Sequence, residues 1–297
     1  FGKEHGSVSS RYFRGTALDA TTIDFLRQVN NDFYARCAPS FSASRNAPWV
    51  GWRSCLKAVQ DCGAVRLCDG PDVHLYDRAT AQPGAIRKGA SVCVLDVACG
   101  NMRFAAFLRE ELRGCQIDYF AVDDCAGLVP HLPEDEGFST CFQNLDIIGE
   151  LAVGVGLAHA IDTESCDLVG CFGFFHHVPS FELRVRLIDA LLQKQRRVVL
   201  AFMGDEKFVK KAEAWNSKAK SELASAGFDA SQLEAGDYFL GWQNEPGLWR
   251  YCHDFEELEI DALVAAACEG GKAREVARFS ADGKSGAMNR YVVLQKR

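Results

Sequence analysis

The sequence predicts a doubly wound α/β domain built on a mostly parallel, seven-stranded sheet, with a helical lid ahead of it and a cap inserted late. Three observations lead there. From Ser91 onward, short β-branched runs alternate with amphipathic stretches at helical spacing, the order that builds a parallel sheet covered on both faces. The carboxylates Asp96, Asp123 and Asp146 each follow a strand-like run, which puts all three at the strand ends where such sheets bind ligands. Ahead of residue 90 the apolar spacing is helical only.

Taken in order, Thr22–Cys37 sets Ile23, Leu26, Val29, Phe33 and Cys37 near helical spacing, and Pro39 is expected to end that helix. Pro48 opens a second helix through Trp52, Cys55, Leu56 and Val59, closed by Gly63. Residues 64–90, rich in Gly, Pro and Asp, read as a connector. Ser91–Val97 is the first strand, followed by a turn and an amphipathic helix over Asn101–Arg113. Ile117–Val122 is the second strand and ends in Asp123 and Asp124; Phe138–Phe142 and Cys166–Phe172 are the third and fourth. A helix over Leu183–Leu192 leads to a fifth strand, Arg197–Met203. A long charged helix, Asp205–Gly227, is followed by a loop to Gly247, a helix over Phe255–Cys268, and strands over Lys272–Phe279 and Arg290–Gln295. Residues 1–90 are thus expected as lid and connector, and 91–297 as one domain in which 204–254 form the cap.

The composition is that of an ordinary globular chain: 297 residues, 48% hydrophobic and 25% charged. No apolar run approaches the ~20 residues of a membrane-spanning helix, and Phe1–Arg14 lacks the apolar core of a signal peptide, so a soluble, cytoplasmic protein is expected. The thirteen cysteines contain no C-x-x-C pair, and the densest group, Cys55, Cys62 and Cys68, has no zinc-site spacing. Buried free thiols are the expected state, with a metal site or disulfide framework as the alternative. The net charge of −7 argues against broad binding to nucleic acid. Arg184–Lys220 departs from that trend, with ten basic residues against four acidic ones. It is either a solvated helical face or a local patch for a polyanion such as RNA.

The first strand tip reads Asp96-Val97-Ala98-Cys99-Gly100-Asn101, where small residues at 98–100 let a ligand lie against the backbone. Asp96 can accept from an amino group or an ordered water, Asp123 from both hydroxyls of a ribose, and Asp146 from an adenine amino group. Together they would make a nucleoside pocket. A dinucleotide-binding dehydrogenase would need Gly-x-Gly-x-x-Gly after this strand, and that pattern is absent. From about residue 90 to the end, these parts resemble the class I S-adenosylmethionine-dependent methyltransferases. The resemblance implies S-adenosyl-L-methionine as cofactor, with Asp96, Ala98, Cys99, Gly100, Asp123, Asp124, Leu145, Asp146, Phe172 and Gly173 around it. The family's first loop usually carries three glycines; here Ala98 and Met102 stand at two of those positions, with Met102 expected on the helix.

The fourth strand ends Phe172-Gly173-Phe174-Phe175-His176-His177-Val178-Pro179, which places two histidines for substrate contact or proton removal. The other reading is that one packs and the other caps the following helix. Two further stretches stand out, Phe33–Trp49 and Gly236–Phe255. With His176, His177 and Arg184 they resemble the subgroup that methylates the carboxymethyl group of wobble uridine in tRNA. That resemblance implies Arg45 at the methionine end of the cofactor and Arg250, Tyr251 and His253 around the acceptor. Some members of that subgroup require a small protein partner. A carboxylate acceptor needs no base but needs a cation, for which Arg250 is suited. A hydroxyl or amine acceptor, on tRNA or on a small molecule, would need His176, His177 or His253 as base. A non-catalytic cofactor-binding or scaffold role is the third alternative. Trp242, Trp249 and Tyr251 either stack on an unpaired base or pack within the cap.

Overall fold

The computed structural model describes residues 18–62, 91–130, 136–154, 156–194, 197–204, 206–243 and 245–297. The expected Gly63 stop, the 64–90 connector and the Phe1–Arg14 stretch lie outside them. In chain order the elements are α1 (Ala20–Ala43), α2 (Gly51–Asp61), β1 (Ser91–Val97), α3 (Arg103–Glu111), β2 (Gln116–Asp123), β3 (Phe138–Asn144), α4 (Ile147–Val153), α5 (Leu157–Ala160) and β4 (Leu168–Cys171). They continue with α6 (Phe181–Lys194), β5 (Arg197–Met203), α7 (Glu206–Ala224), β6 (Asp237–Gly241), β7 (Trp249–His253), α8 (Glu257–Cys268), β8 (Ala273–Ala281) and β9 (Asn289–Lys296).

Seven strands form one sheet in the order β3-β2-β1-β4-β5-β9-β8, the first five parallel and β9 antiparallel to both neighbours. This is the doubly wound, mostly parallel sheet that the sequence predicts. β1 shows why the strands read as continuous apolar runs: Val92–Val97 is buried on both faces. Alternate side chains feed different cores, Cys93, Leu95 and Val97 one, Val92 and Val94 the other. The first core is covered by α6 and α8, the second by α2 and α3, where Trp52 packs on Phe104 and Phe107. Strand order reverses between β1 and β4, and the crevice above their carboxyl ends is the ligand position this topology creates.

Three local expectations need correction. Pro39 lies inside α1 rather than at its end. Buried Cys37 and Ala38, with Phe41 packed beside Phe33 and Trp242, hold the last turn helical despite the lost N–H donor. The expected loop to Gly247 holds a strand, β6, which pairs with β7 just beyond it as a two-stranded hairpin, in register from Asp237↔His253 to Gly241↔Trp249. Both faces are buried and carry apolar residues, Tyr238, Leu240 and Cys252 against Ala212, and Phe239, Trp249 and Tyr251 against Leu26 and Phe228, so no polar–apolar alternation marks the strands. Helices α4 and α5 were not anticipated; α4 is short and is started by Asp146, whose Oδ1 accepts from the Gly149 N–H at 2.8 Å.

Candidate functional site

A cleft lies above the carboxyl ends of β1, β2 and β4 and is roofed by α1 and β7. Its floor is the loop after β1. Ala98, Gly100 and Met102 all take left-handed backbone angles, with φ of 59°, 52° and 53°. Nothing lies within 4 Å of where a Cβ on Gly100 would sit, so the loop presents bare backbone to the cleft. Met102 is not on the helix: it is the residue before α3, and its side chain is buried in the core. The loop is braced from both sides. Gly100 N–H donates to Asp123 Oδ2 at 2.8 Å, and Asn101 Nδ2 donates to Ser42 Oγ and to the Arg45 carbonyl at 3.1 and 3.0 Å.

One end of the cleft is acidic. Asp96 is buried, accepts a short hydrogen bond from the Tyr119 hydroxyl, and is pushed up to about 7 by burial. Asp123 is also raised by burial, against the backbone N–H groups of Cys125 and Gly100 that donate to it. Asp124 is raised to about 6, first by burial and then by the charges of Asp123 and Asp146. Ala98, Cys99, Phe172 and Gly173 complete this half with Trp49 and Trp52. Leu145 and Asp146 do not line the cleft. Asp146 is committed elsewhere, to the start of α4 and to Arg27, whose Nη1 lies 2.6 Å from Oδ2.

The other end is basic. Arg45 stands over the Phe41 ring, its Cζ 3.5 Å from the centroid, and is pushed down to about 10 by burial and by the charge of Arg250. Arg250 is 6% exposed, with its Cζ 5.2 Å from the Phe33 ring and 5.5 Å from Phe41. Among the described residues neither guanidinium has a carboxylate within ion-pair distance, and Arg250 Nε has no hydrogen-bond partner. Such a buried, unbalanced cation is costly unless a ligand anion meets it. Arg103, at the start of α3, lines the cleft beside Trp49 and Trp52, its Cζ 5.3 and 5.8 Å from their rings, and donates to the Ala47 carbonyl at 3.0 Å.

The adjacent histidines have opposite fates. His177 is hydrogen-bonded at both nitrogens, Nδ1 to the Tyr251 carbonyl at 2.9 Å and Nε2 to the Tyr34 hydroxyl at 2.8 Å. His176 is 3% exposed, lines the cleft, and has no partner for Nδ1. Burial, then the neighbouring His177, Arg250 and Arg45, hold it well below the usual histidine range, while burial and Arg250 lower His177 to about 3. Both are neutral imidazoles at pH 7.

Tyr251 and His253 are not in the cleft. Neighbours on a strand point to opposite faces, so Arg250 faces the cleft while Tyr251 and His253 turn away. They join a buried network around Arg184, which is fully buried. Its Nη1 meets Glu234 at 2.8 Å and Glu259 at 2.9 Å. The Tyr251 hydroxyl donates to Asp237 at 2.7 Å, and His253 spans Asp237 and Glu259 at 2.7 and 2.8 Å. The first basic residues of segment 184–220 are engaged within the fold. Arg184 is internal, Arg186 pairs with Glu182, and Lys194 donates to the carbonyls of Ile161 and Thr163. Trp249 is buried with its Nε1 on Glu222, and Trp242 Nε1 donates to Ser40 Oγ, which places both in packing.

Among the described residues two side-chain groups have metal-ligand composition, His176 with His177 and Cys252, and Glu234 with Asp237 and His253. Neither suits a cation. In the first, both nitrogens of His177 are engaged and Arg250 and Arg45 stand beside it; in the second, Arg184 already fills the space. The twelve described cysteines are all free of disulfides, as the sequence suggests. Lining residues that sequence reasoning missed include Asn30, Asn31, Trp52, Arg103, Leu128 and Ile147. Asn30 carried a signal, a polar residue between Leu26 and Phe33 on the apolar face of α1.

No family model matches the chain, and no curated protein matches it. Solved structures match it in outline. A S-adenosylmethionine-dependent methyltransferase from Methanosarcina mazei is 13% identical, with 71% of this chain and 94% of that chain covered and a TM-score of 0.46. Magnesium protoporphyrin IX methyltransferase from Synechocystis PCC 6803, with bound S-adenosylhomocysteine, is 14% identical over 70% of this chain and 74% of its own, at a TM-score of 0.40. A S-adenosylmethionine-dependent methyltransferase from Clostridium acetobutylicum is 12% identical over 69% and 83%, also at 0.40. Likeness at this level concerns the course of the chain and says nothing of an acceptor.

Proposed function

We propose that this chain is a S-adenosylmethionine-dependent methyltransferase whose acceptor is an anionic oxygen, a carboxylate held by Arg250. The observation that carries the reading is the polarity of the cleft, three carboxylates at the strand tips and two guanidinia without counter-charge at the roof. The donor set fits the cofactor: bare backbone at Gly100 admits a nucleoside, Asp123 and Asp124 can accept from ribose hydroxyls, and Asp96 can meet an ammonium. Arg45 can hold the methionine carboxylate, which leaves Arg250 for the acceptor. When bound, the cofactor supplies an already activated methyl group. The chain's own part is alignment and exclusion of water: Arg250 fixes the acceptor oxygen, and Phe33, Phe41 and Trp242 keep that end dry. The carboxymethyl group of a tRNA wobble uridine is one acceptor of this kind. A second reading has its own support. The unpartnered Nδ1 of neutral His176 could take a proton from a hydroxyl or amine of a small molecule.

Calorimetry tests the cofactor half. S-adenosylmethionine should bind the wild type in the micromolar range and release protons near pH 6.5, because a cation beside Asp96 and a ligand at Asp124 favour the ionised carboxylates. Release is read from the dependence of the heat on buffer ionisation enthalpy. No binding, or proton uptake, would remove the reading. The acceptor half is tested with cell extract as methyl acceptor, before and after ribonuclease. Loss of label on ribonuclease treatment supports an RNA carrier, and retention supports a small molecule. A base-labile product marks an ester, as a carboxylate acceptor requires.

A further inference from the structure

Arg45 stands on the short linker between α1 and α2, two residues beyond the last turn of α1. Its main chain is held at both polar groups. The Arg45 N–H donates to the Ser42 carbonyl at 2.9 Å, which closes the turn off the helix. The Arg45 carbonyl accepts from Asn101 Nδ2 at 3.0 Å, and the same nitrogen donates to Ser42 Oγ at 3.1 Å. A carbonyl can only accept, so the nitrogen of the Asn101 amide faces the linker, with one hydrogen for each acceptor. From this fixed base the Arg45 side chain lies over the Phe41 ring, with its Cζ 5.5 Å from the Trp242 ring.

Asn101 belongs to the loop after β1, and the residue before it is tied to the acidic end of the cleft: Gly100 N–H donates to Asp123 Oδ2 at 2.8 Å. Two consecutive residues thus connect the carboxylate suited to ribose hydroxyls with the cation suited to a methionine carboxylate. Arg103 gives the same linker a second anchor through its bond to the Ala47 carbonyl. We propose that Asn101 is a positioning residue: it fixes Arg45 at a set distance from Asp123, and so matches the cleft to the span between the nucleoside and amino-acid halves of the cofactor. The value of that span rests on the reading that Arg45 receives the methionine carboxylate; the hold of Asn101 on Arg45 does not. The consequence is selectivity. A ligand with both halves gains from Asn101, and a nucleoside without the amino-acid half does not.

Calorimetry on the full chain compares S-adenosylhomocysteine with 5′-methylthioadenosine, a thioether of the same nucleoside that lacks the amino-acid end. Asn101→Ala should weaken S-adenosylhomocysteine by about tenfold, the scale of a lost hydrogen bond, and 5′-methylthioadenosine by less than about twofold. Arg45→Ala should show the same preference with a larger loss, about thirtyfold, as for a hydrogen bond to a charged group. In the double variant Asn101→Ala should add less than about twofold, because a residue that acts through Arg45 has nothing left to position. Equal weakening of both ligands by Asn101→Ala, no weakening of either, or full additivity would overturn the proposal. Should Asn101→Ala not fold, Asn101→Leu, of similar shape and without donors, takes its place. An Arg45→Ala variant that loses affinity for the two ligands equally would instead remove Arg45 from the methionine carboxylate. The hold of Asn101 is then judged on the ligand-free chain with nitrogen-15 arginine. There the Arg45 Nε–H signal, assigned by its loss in Arg45→Lys, should shift in Asn101→Ala, and a signal that stays in place would overturn the positioning.

Discussion

Arg184 and Arg250 are both buried, and Arg184 Nη2 reaches the hydroxyl of Tyr251, the residue that follows Arg250, at 3.5 Å. Arg184 is surrounded by Glu234, Asp237 and Glu259, and its Nε donates to the Val178 carbonyl at 3.0 Å. Arg250 meets aromatic faces and open cleft. The first is balanced by the protein alone, so its role is to tie α6, α8 and the hairpin together. The second is balanced only when something else arrives. Burial by itself does not distinguish a structural cation from a functional one; the inventory of counter-charges does.

The comparison breaks most visibly on removal of each side chain. Arg184→Ala leaves three carboxylates facing each other without a cation, and should destabilise the fold by about 3–5 kcal/mol. Denaturant titration with the slope held equal reads that loss directly. A change below ~1 kcal/mol would mean that the carboxylates escape to water and the network is peripheral.

Arg250→Ala should do the reverse. It removes a buried charge that has no protein counter-ion, so the denaturation midpoint should stay level or rise. Methyl transfer, once an acceptor is in hand, should fall by roughly 100-fold or more in kcat/KM while cofactor affinity holds, in line with about 2–5 kcal/mol for a desolvated charge contact. Arg250→Lys should recover little, because an ammonium cannot reproduce the planar fork. A variant that loses stability and keeps its turnover would merge the two arginines into one class.

How much of this was open to sequence reading follows the same division. The acidic end rests on strand tips, and strands in a parallel sheet announce themselves as short apolar runs; Asp96 and Asp123 were placed by counting to the end of each run. Asp146 shows the limit. It sits two residues past the end of β3, where its role turns on whether a helix begins there, and the short α4 had no periodic signal. The basic end depends on tertiary contacts. Arg250, Tyr251 and His253 read as one motif until pairing with β6 shows a strand, and a strand separates odd from even positions. Likewise the charge of 184–220 stayed open between a solvated helical face and a patch, because sequence counts charges and cannot see that Glu234 and Glu259 return to neutralise Arg184.

pH offers a gentler separation of the two regions. Burial works against charge on His253, but its bonds to Asp237 and Glu259 prevail and raise it above the ordinary histidine value. A raised histidine stabilises the fold fully below the unfolded value of about 6.5, and that contribution is lost as pH climbs through the folded-state value. Asp96, raised to about 7, also loses stability as pH rises, but its loss begins near 4 and is complete soon after 7. Buried thiols that stay neutral in the fold also lower stability as unfolded thiols ionise above about pH 8.5, so the Arg184 network is read from the difference between two chains measured from pH 7.5 to 9.5. Wild type should decline more steeply than His253→Gln; a decline of equal slope in both would place the titration elsewhere.

The smallest effect concerns the cleft floor. Ala98 holds a left-handed backbone that costs a residue with a Cβ about 1 kcal/mol, which Ala98→Gly should relieve. The unfolded chain gains freedom from the same change, worth about 0.4–1 kcal/mol in the opposite direction. Stability should consequently move by no more than about 0.5 kcal/mol. Met102→Gly relieves similar strain but deletes a side chain buried among Phe104 and its neighbours, so it should destabilise by roughly 1–2 kcal/mol. The informative number is cofactor affinity in Ala98→Gly. If the acidic end recognises its ligand through backbone shape that Ala98 already adopts, the dissociation constant should change by less than about threefold, under 1 kcal/mol. A tenfold gain would mean that the Ala98 methyl obstructs the ligand, and that side chains limit binding at this end of the cleft as they do at the other.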